Sequence, residues 1–218
     1  MHQLFIGPTQ SGKTLLCRKV ARLRDYVVVC GTKPVDPSLD EYQAEGYVHI
    51  DPWPPTRSDY KKQLYDDQAR WLLWPHMKER ADLRRYRETY AKMFEEVFIE
   101  GRWCVVVDEG LWMAGKKGLD LMTELGDVAY GSASNKVSLY LLVQRESNVG
   151  PVAWTSVTDA MVFHMGRVSD VRDIASLGTK PPNEVVRVIQ HLRGHQFLDL
   201  PCRGGADWSI SEVDLRAR

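Results

Sequence analysis

Three short stretches bring together the residue types from which phosphate chemistry is built. Residues 7–14 read GPTQSGKT, the pattern G-x-x-x-x-G-K-[ST]. A loop of this kind turns its backbone N–H groups toward phosphate oxygens at the positive end of the helix that follows. Lys13 is placed to neutralise the outer phosphates and Thr14 to ligate Mg2+, while Gly7, Pro8, Thr9, Gln10, Ser11, Gly12 and Leu15 complete the cradle and the first helical turn. The second stretch, CVVVDEG at 104–110, is an apolar run that ends in two acids. Asp108 there is suited to hold a metal ion, and Glu109 to orient and polarise an attacking water, a group that hydrolysis of ATP needs. The third stretch, LYLLVQRES at 139–147, ends another apolar run in Gln144, whose amide can register the presence of a terminal phosphate.

These residues need a frame that gathers them at one edge, and the hydrophobic pattern supplies it. Charge-free runs recur as LFI (4–6), YVVVC (26–30), YVHI (47–50), WLLW (71–74), WCVVV (103–107), LYLLV (139–143) and AMVFHM (160–165). Runs of this length and composition are what strands covered on both faces look like. Helical spacing falls between them, most clearly over 78–100, where Leu83, Tyr86, Tyr90, Met93, Phe94, Val97 and Phe98 recur every three or four residues. The alternation predicts an α/β fold, a mostly parallel central sheet flanked by helices, in one domain spanning 1–218. The prolines at 52, 54 and 55 predict a stiff irregular loop over 49–59, and the stretch from about 180 to 218 predicts an added helix and a final strand.

Lys and Arg together number 29, as do Asp and Glu, so any nucleic-acid surface must be a local patch. No apolar run reaches the roughly 18 residues of a membrane span, and the first residues lack the pattern of a secretory signal; a cytoplasmic protein is expected, with no membrane partner. Cys17, Cys30, Cys104 and Cys202 form no C-x-x-C pair, and the histidines show no zinc spacing.

The order GPTQSGKT, VVVDE, LLVQRES resembles the FtsK–HerA superfamily of P-loop ATPases, and the segment FHMGRVSDVRDIASLG (163–178) is similar to a strand, Asp-x-Arg and helix of that family. The resemblance implies a RecA-like ASCE P-loop domain that hydrolyses ATP with Mg2+. It further implies a ring homo-oligomer, a hexamer by family likeness, that translocates double-stranded DNA. The small size and lack of long accessory domains look most like compact phage or viral genome-packaging ATPases, which suggests a capsid or portal partner and virion association. By the same likeness Arg172 is an arginine finger that reaches a neighbouring subunit's nucleotide. Relatives that carry an arginine before the Gln-bearing strand are not matched here, since Gly131 is followed by Ser132 and Ala133.

Two further features bear on DNA. Lys116 and Lys117, between Gly115 and Gly118, suit a flexible loop that contacts phosphates without regard to sequence. Lys78, Arg80, Arg84, Arg85 and Arg87 crowd the start of the predicted helix and Glu95, Glu96 and Glu100 its end, both against the helix dipole. Two other functions share the phosphate loop. A nucleotide or small-molecule kinase would not need Glu109, and an assembly protein that uses nucleotide as a switch would bind without turnover.

Overall fold

The computed structural model describes residues 1–33, 36–63, 67–75, 82–144, 156–204 and 206–214. Nine strands form one sheet: β1 (Gln3–Ile6), β2 (Tyr26–Cys30), β3 (Val48–Ile50), β4 (Ala69–Leu73), β5 (Cys104–Val107), β6 (Ser138–Val143), β7 (Asp159–Phe163), β8 (Gln196–Pro201) and β9 (Ser209–Glu212). Their spatial order is β3-β4-β2-β5-β6-β1-β7-β8-β9. The first seven run parallel, and β8 and β9 close one side as an antiparallel pair. All seven charge-free runs of the sequence supply these parallel strands. Val and Leu dominate them because both faces of the sheet are covered, which leaves no side for polar alternation.

Among the described residues the helices are α1 (Lys13–Ala21), α2 (Pro37–Ala44), α3 (Arg57–Tyr60), α4 (Leu83–Glu100), α5 (Gly110–Ala114), α6 (Met122–Asn135), α7 (Val168–Ala175) and α8 (Pro182–His191). Alternate strand residues build two cores. Leu4, Ile6, Val105, Val107, Leu139 and Leu141 pack with Met93, Phe94 and Val97 of α4, Val128 of α6, Ile174 of α7 and Ile189 of α8. Phe5, Val27, Val29, Val106, Tyr140 and Leu142 face the other way, onto Cys17 and Ala21 of α1 and Leu39 and Tyr42 of α2. Each such side chain taken fully from water contributes about 1.5–3 kcal/mol. A one-residue slip of any strand would exchange the two sets, so register is strongly held.

Four expectations need correction. The segment 49–59 is irregular only around its prolines: β3 runs through Ile50, and α3 begins at Arg57, with Thr56 and Asp59 forming a reciprocal capping box. The part after Thr179 adds a helix and two strands rather than one. Helix α4 starts at Leu83, and Lys78 and Arg80 fall outside the described residues. Its arginines find acids within the chain: Arg84 Nε lies 2.9 Å from Glu88 Oε1, Arg85 Nη2 3.0 Å from Asp51 Oδ1 and Arg87 Nη2 3.6 Å from Glu124 Oε1. Each described arginine of this basic start is thus paired with a carboxylate.

The fourth correction concerns 112–120, which is a tight turn rather than a slack loop. Its first residues belong to α5, and the rest is closed by Gly118 N–H to Gly115 O (2.8 Å), Leu119 N–H to Trp112 O (2.9 Å) and Leu121 N–H to Met113 O (3.0 Å). Leu119 is buried, while Lys116 and Lys117 are exposed. Gly118 is required by space: a Cβ there would lie 1.9 Å from the carbonyl oxygen of Trp112. Gly118→Ala is therefore expected to lower stability by about 1–3 kcal/mol. Gly166→Ala, where nothing lies within 4 Å of an added Cβ, should stay within about 0.5 kcal/mol of the parent. Denaturant melts of the two variants check this pair.

Candidate nucleotide site

Because β1, β6, β5 and β2 are parallel, their carboxyl ends open on one edge of the sheet, where ligands of such folds bind. Each of the chemistry-bearing stretches emerges there. The phosphate loop follows β1, Gln144 follows β6, and Asp108 and Glu109 follow β5. Strand β6 lies between the other two, as its suggested sensing role requires. The pairing of Ile6 with Val143 and a hydrogen bond from Gly7 N–H to Val143 O (3.3 Å) set exposed Gln144 beside the start of the loop. Arg145, its neighbour in the motif, lies outside the described residues, as do the side chains of Ser132 and Ala133.

The loop itself is tightly supported. Gly12, the residue before α1, has φ +102°, in a region that side chains with a Cβ rarely adopt. The first-turn N–H groups of α1 have no intrahelical acceptors, as at any helix start, and are available to an anion. Ser11 Oγ is buried without a partner among the described residues, and Lys13 is buried with Nζ donating to Pro8 O at 2.8 Å. A loop with an orphaned hydroxyl, free N–H groups and a buried ammonium fits the phosphates of ATP. Thr14, half-buried in that first turn, and Asp108 supply the oxygen ligands that Mg2+ prefers.

The electrostatics of the edge are those of charges held out of water. Burial pulls the Lys13 ammonium down to about 8; Asp108 and Glu109 oppose that fall and Lys33 adds to it. Burial raises the Asp108 carboxyl, with Asp36 adding to the rise and Lys33 working against it. Glu109, at the start of α5, is raised as well, first by burial and then by Asp108, against the pull of Lys33 and Lys13. A carboxylate raised in this way is a better proton acceptor than a free one.

Two residues of this edge, Lys33 and Asp36, and one support behind it, His195, did not emerge from the motifs. Lys33 lies three residues past β2, in the turn at the carboxyl end of a charge-free run, and that place was the available signal. Its Nζ lies 3.2 Å from Asp108 Oδ2 and 3.3 Å from Asp36 Oδ2. His195, in the turn before β8, supports the loop from behind, its Nδ1 3.1 Å from Ser11 O. The carbonyl can only accept, so Nδ1 carries the proton. Holding Ser11 O in that direction turns the N–H of Gly12, on the far side of the same trans peptide, the opposite way. Arg172 is exposed on α7, and Lys116 and Lys117 are exposed on their turn.

Neither a protein-family model nor a curated protein matches the sequence. Solved structures do. The DNA-packaging ATPase B204 of Sulfolobus turreted icosahedral virus superposes with a TM-score of 0.67 at 14% identity, covering 98% of each chain. The chain has the fold of B204. Its counterpart from Sulfolobus turreted icosahedral virus 2, solved with ATP-gammaS, gives 0.64 at 12% identity over 97% of this chain and 96% of that one. VirB4 of Thermoanaerobacter pseudethanolicus gives 0.64 at 11% identity over 98% and 89%. At these identities the likeness shows the fold alone, and it is the RecA-like P-loop fold expected from the motifs. Among the described residues no helix is long and apolar enough to cross a membrane.

Two outcomes follow from this geometry. Binding a phosphate favours charged Lys13, so above its free value of about 8 the site must take up a proton to bind ATP. Affinity should be level below that pH and fall above it by up to about tenfold per unit, and calorimetry at pH 9 in buffers of different ionisation heat should show uptake approaching one proton. His195→Ala should weaken ATP binding by about three- to tenfold through a less ordered loop, with His195→Gln recovering part of the loss.

Proposed function

We propose that this chain is an ATP-hydrolysing DNA translocase of the FtsK–HerA type, a ring-forming motor that packages a viral or phage genome. The observation that carries this reading is Glu109, a half-buried carboxylate of raised pKa beside Asp108, on the same sheet edge as the phosphate loop. Glu109 accepts a proton from the water that attacks the terminal phosphate. Lys13 and the N–H groups of the loop stabilise the charge that gathers on the phosphate oxygens. Bound Mg2+, held by Thr14 and Asp108, would neutralise the phosphates further. Gln144, at the end of the strand between the loop and Asp108, is positioned to register the terminal phosphate and pass its loss to the rest of the subunit.

The remaining parts of the motor come from its surface. Arg172 is exposed, as a residue that serves a neighbouring subunit's nucleotide must be. Lys116 and Lys117 sit on a turn that begins at Glu109 through α5, and they are the basic pair offered to DNA phosphates. That turn is stiff, so hydrolysis would move the lysines as part of α5 rather than by loosening a loop. The likeness to B204 over 98% of each chain supports a motor of the packaging kind, and that reading carries a portal or capsid component as the partner to look for.

The decisive measurement is ATP turnover with and without double-stranded DNA. The parent should be stimulated by DNA, and Glu109→Gln should lose about 10²–10⁴-fold in rate while still binding ATP. Phosphate transferred to a nucleoside or small-molecule acceptor would point to a kinase instead, and binding without turnover in the parent would point to a switch. Mixing Arg172→Ala with Lys13→Ala subunits should restore part of the activity that each lacks, because one supplies the finger and the other the loop.

A further inference from the structure

Lys33 is held with more care than a surface lysine needs. Its carbonyl accepts from Trp74 Nε1 at 2.8 Å, and the turn that leads to it is held at Gly31, whose N–H donates to Leu73 O at 2.9 Å. The hydroxyl of Tyr90, buried on α4, donates to Gly31 O and closes the same turn. The ammonium that results reaches Asp108 and Asp36 at 3.2 and 3.3 Å, while the side chain remains 46% exposed toward the open edge of the sheet. Asp36 is itself fixed, since its carboxylate caps α2 by accepting from Ser38 N–H (3.0 Å) and Ser38 Oγ (2.6 Å). Among the charges that act on Glu109, Lys33 comes ahead of both Asp108 and Lys13.

We propose that Lys33 is a second phosphate-binding lysine of this site, aimed by Asp36 and selective for the terminal phosphate of ATP. The inference rests on the nucleotide reading above. A lysine offers three N–H donors, of which two go to carboxylates here, and its flexible stem lets the remaining donor capacity turn to a ligand. Asp36 serves as the standing partner of the ammonium, so Lys33 gives up Asp108 to a metal ion without losing its own counter-charge. Without Lys33, the cation that acts on Glu109 among the described residues is Lys13, set against three carboxylates (Asp36, Asp108 and Glu109). Asp36 is a positioning residue for Lys33, and its carboxylate also bears directly on Asp108.

The test is the ratio of ATP to ADP affinity, measured by calorimetry with saturating Mg2+ on the full chain. Lys33→Met should lower that ratio about tenfold, or about 1.4 kcal/mol, by weakening ATP and leaving ADP nearly unchanged. Lys33→Arg should keep most of the preference. Asp36→Asn retains a capping oxygen for α2, so it should fold, and should lower the ratio about threefold in the parent but should not lower it in Lys33→Met. If Lys33→Met proves unstable, Asp36→Asn carries the same comparison. An unchanged ratio in a folded Lys33→Met protein that still needs Lys13 to bind ATP overturns the role of Lys33 alone. Failure of the parent to bind ATP overturns the nucleotide reading and this inference together.

Discussion

The ammonium of Lys33 stands between Asp108 and Asp36, and the phosphate loop holds a second, buried ammonium, Lys13, under the influence of Asp108 and Glu109. Charges taken this far out of water cost several kcal/mol each unless partners meet them with good geometry. No single strand can supply both signs at the right distance. The partners come from β1, β2 and β5, and they meet because those strands are parallel and end together. The site and the sheet therefore depend on one another: the sheet brings the charges into reach, and the charges tolerate burial only where the sheet sets them.

The two-faced core makes that edge rigid. Helix α1 covers one face and leads straight from the phosphate loop, while α4 covers the other and sends Tyr90 up to the turn that carries Lys33. Trp74, just past β4, holds the same turn from the side. The antiparallel pair β8–β9 adds a support behind the loop, where His195 meets Ser11 O and Val213 lies close to Gly12. A loop fixed from the front by β6 and from behind by this pair can bind phosphate without reordering, which is how a preformed anion site gains affinity.

Much of this could be read from residue order. GPTQSGKT between a charge-free run and a helical pattern, and two acids after another such run, are local signals with local causes: a glycine at φ +102° and a strand covered on both faces. Other parts misled for equally physical reasons. Gly115 and Gly118 look like flexibility in a sequence, but Gly118 is there because a carbonyl passes too close for any side chain. The basic start of α4 reads first as a solvated face and second as a surface for an acidic partner, and only the fold pairs its described arginines with Glu88 of the same helix and with Asp51 and Glu124 of other segments.

The sequence by itself determined the seven parallel strands, the phosphate loop and the two acids that follow β5, because each is written in contiguous residues by burial, backbone angle and helix start. Tertiary structure alone decided which strand ends are neighbours, and so which charges share an edge. Lys33 lies 75 residues from Asp108, and His195 lies 184 from Ser11. Pairings over such distances leave no local pattern; they exist only once the order of strands in the sheet has been chosen. That order turned an unremarked lysine after β2 into part of the site.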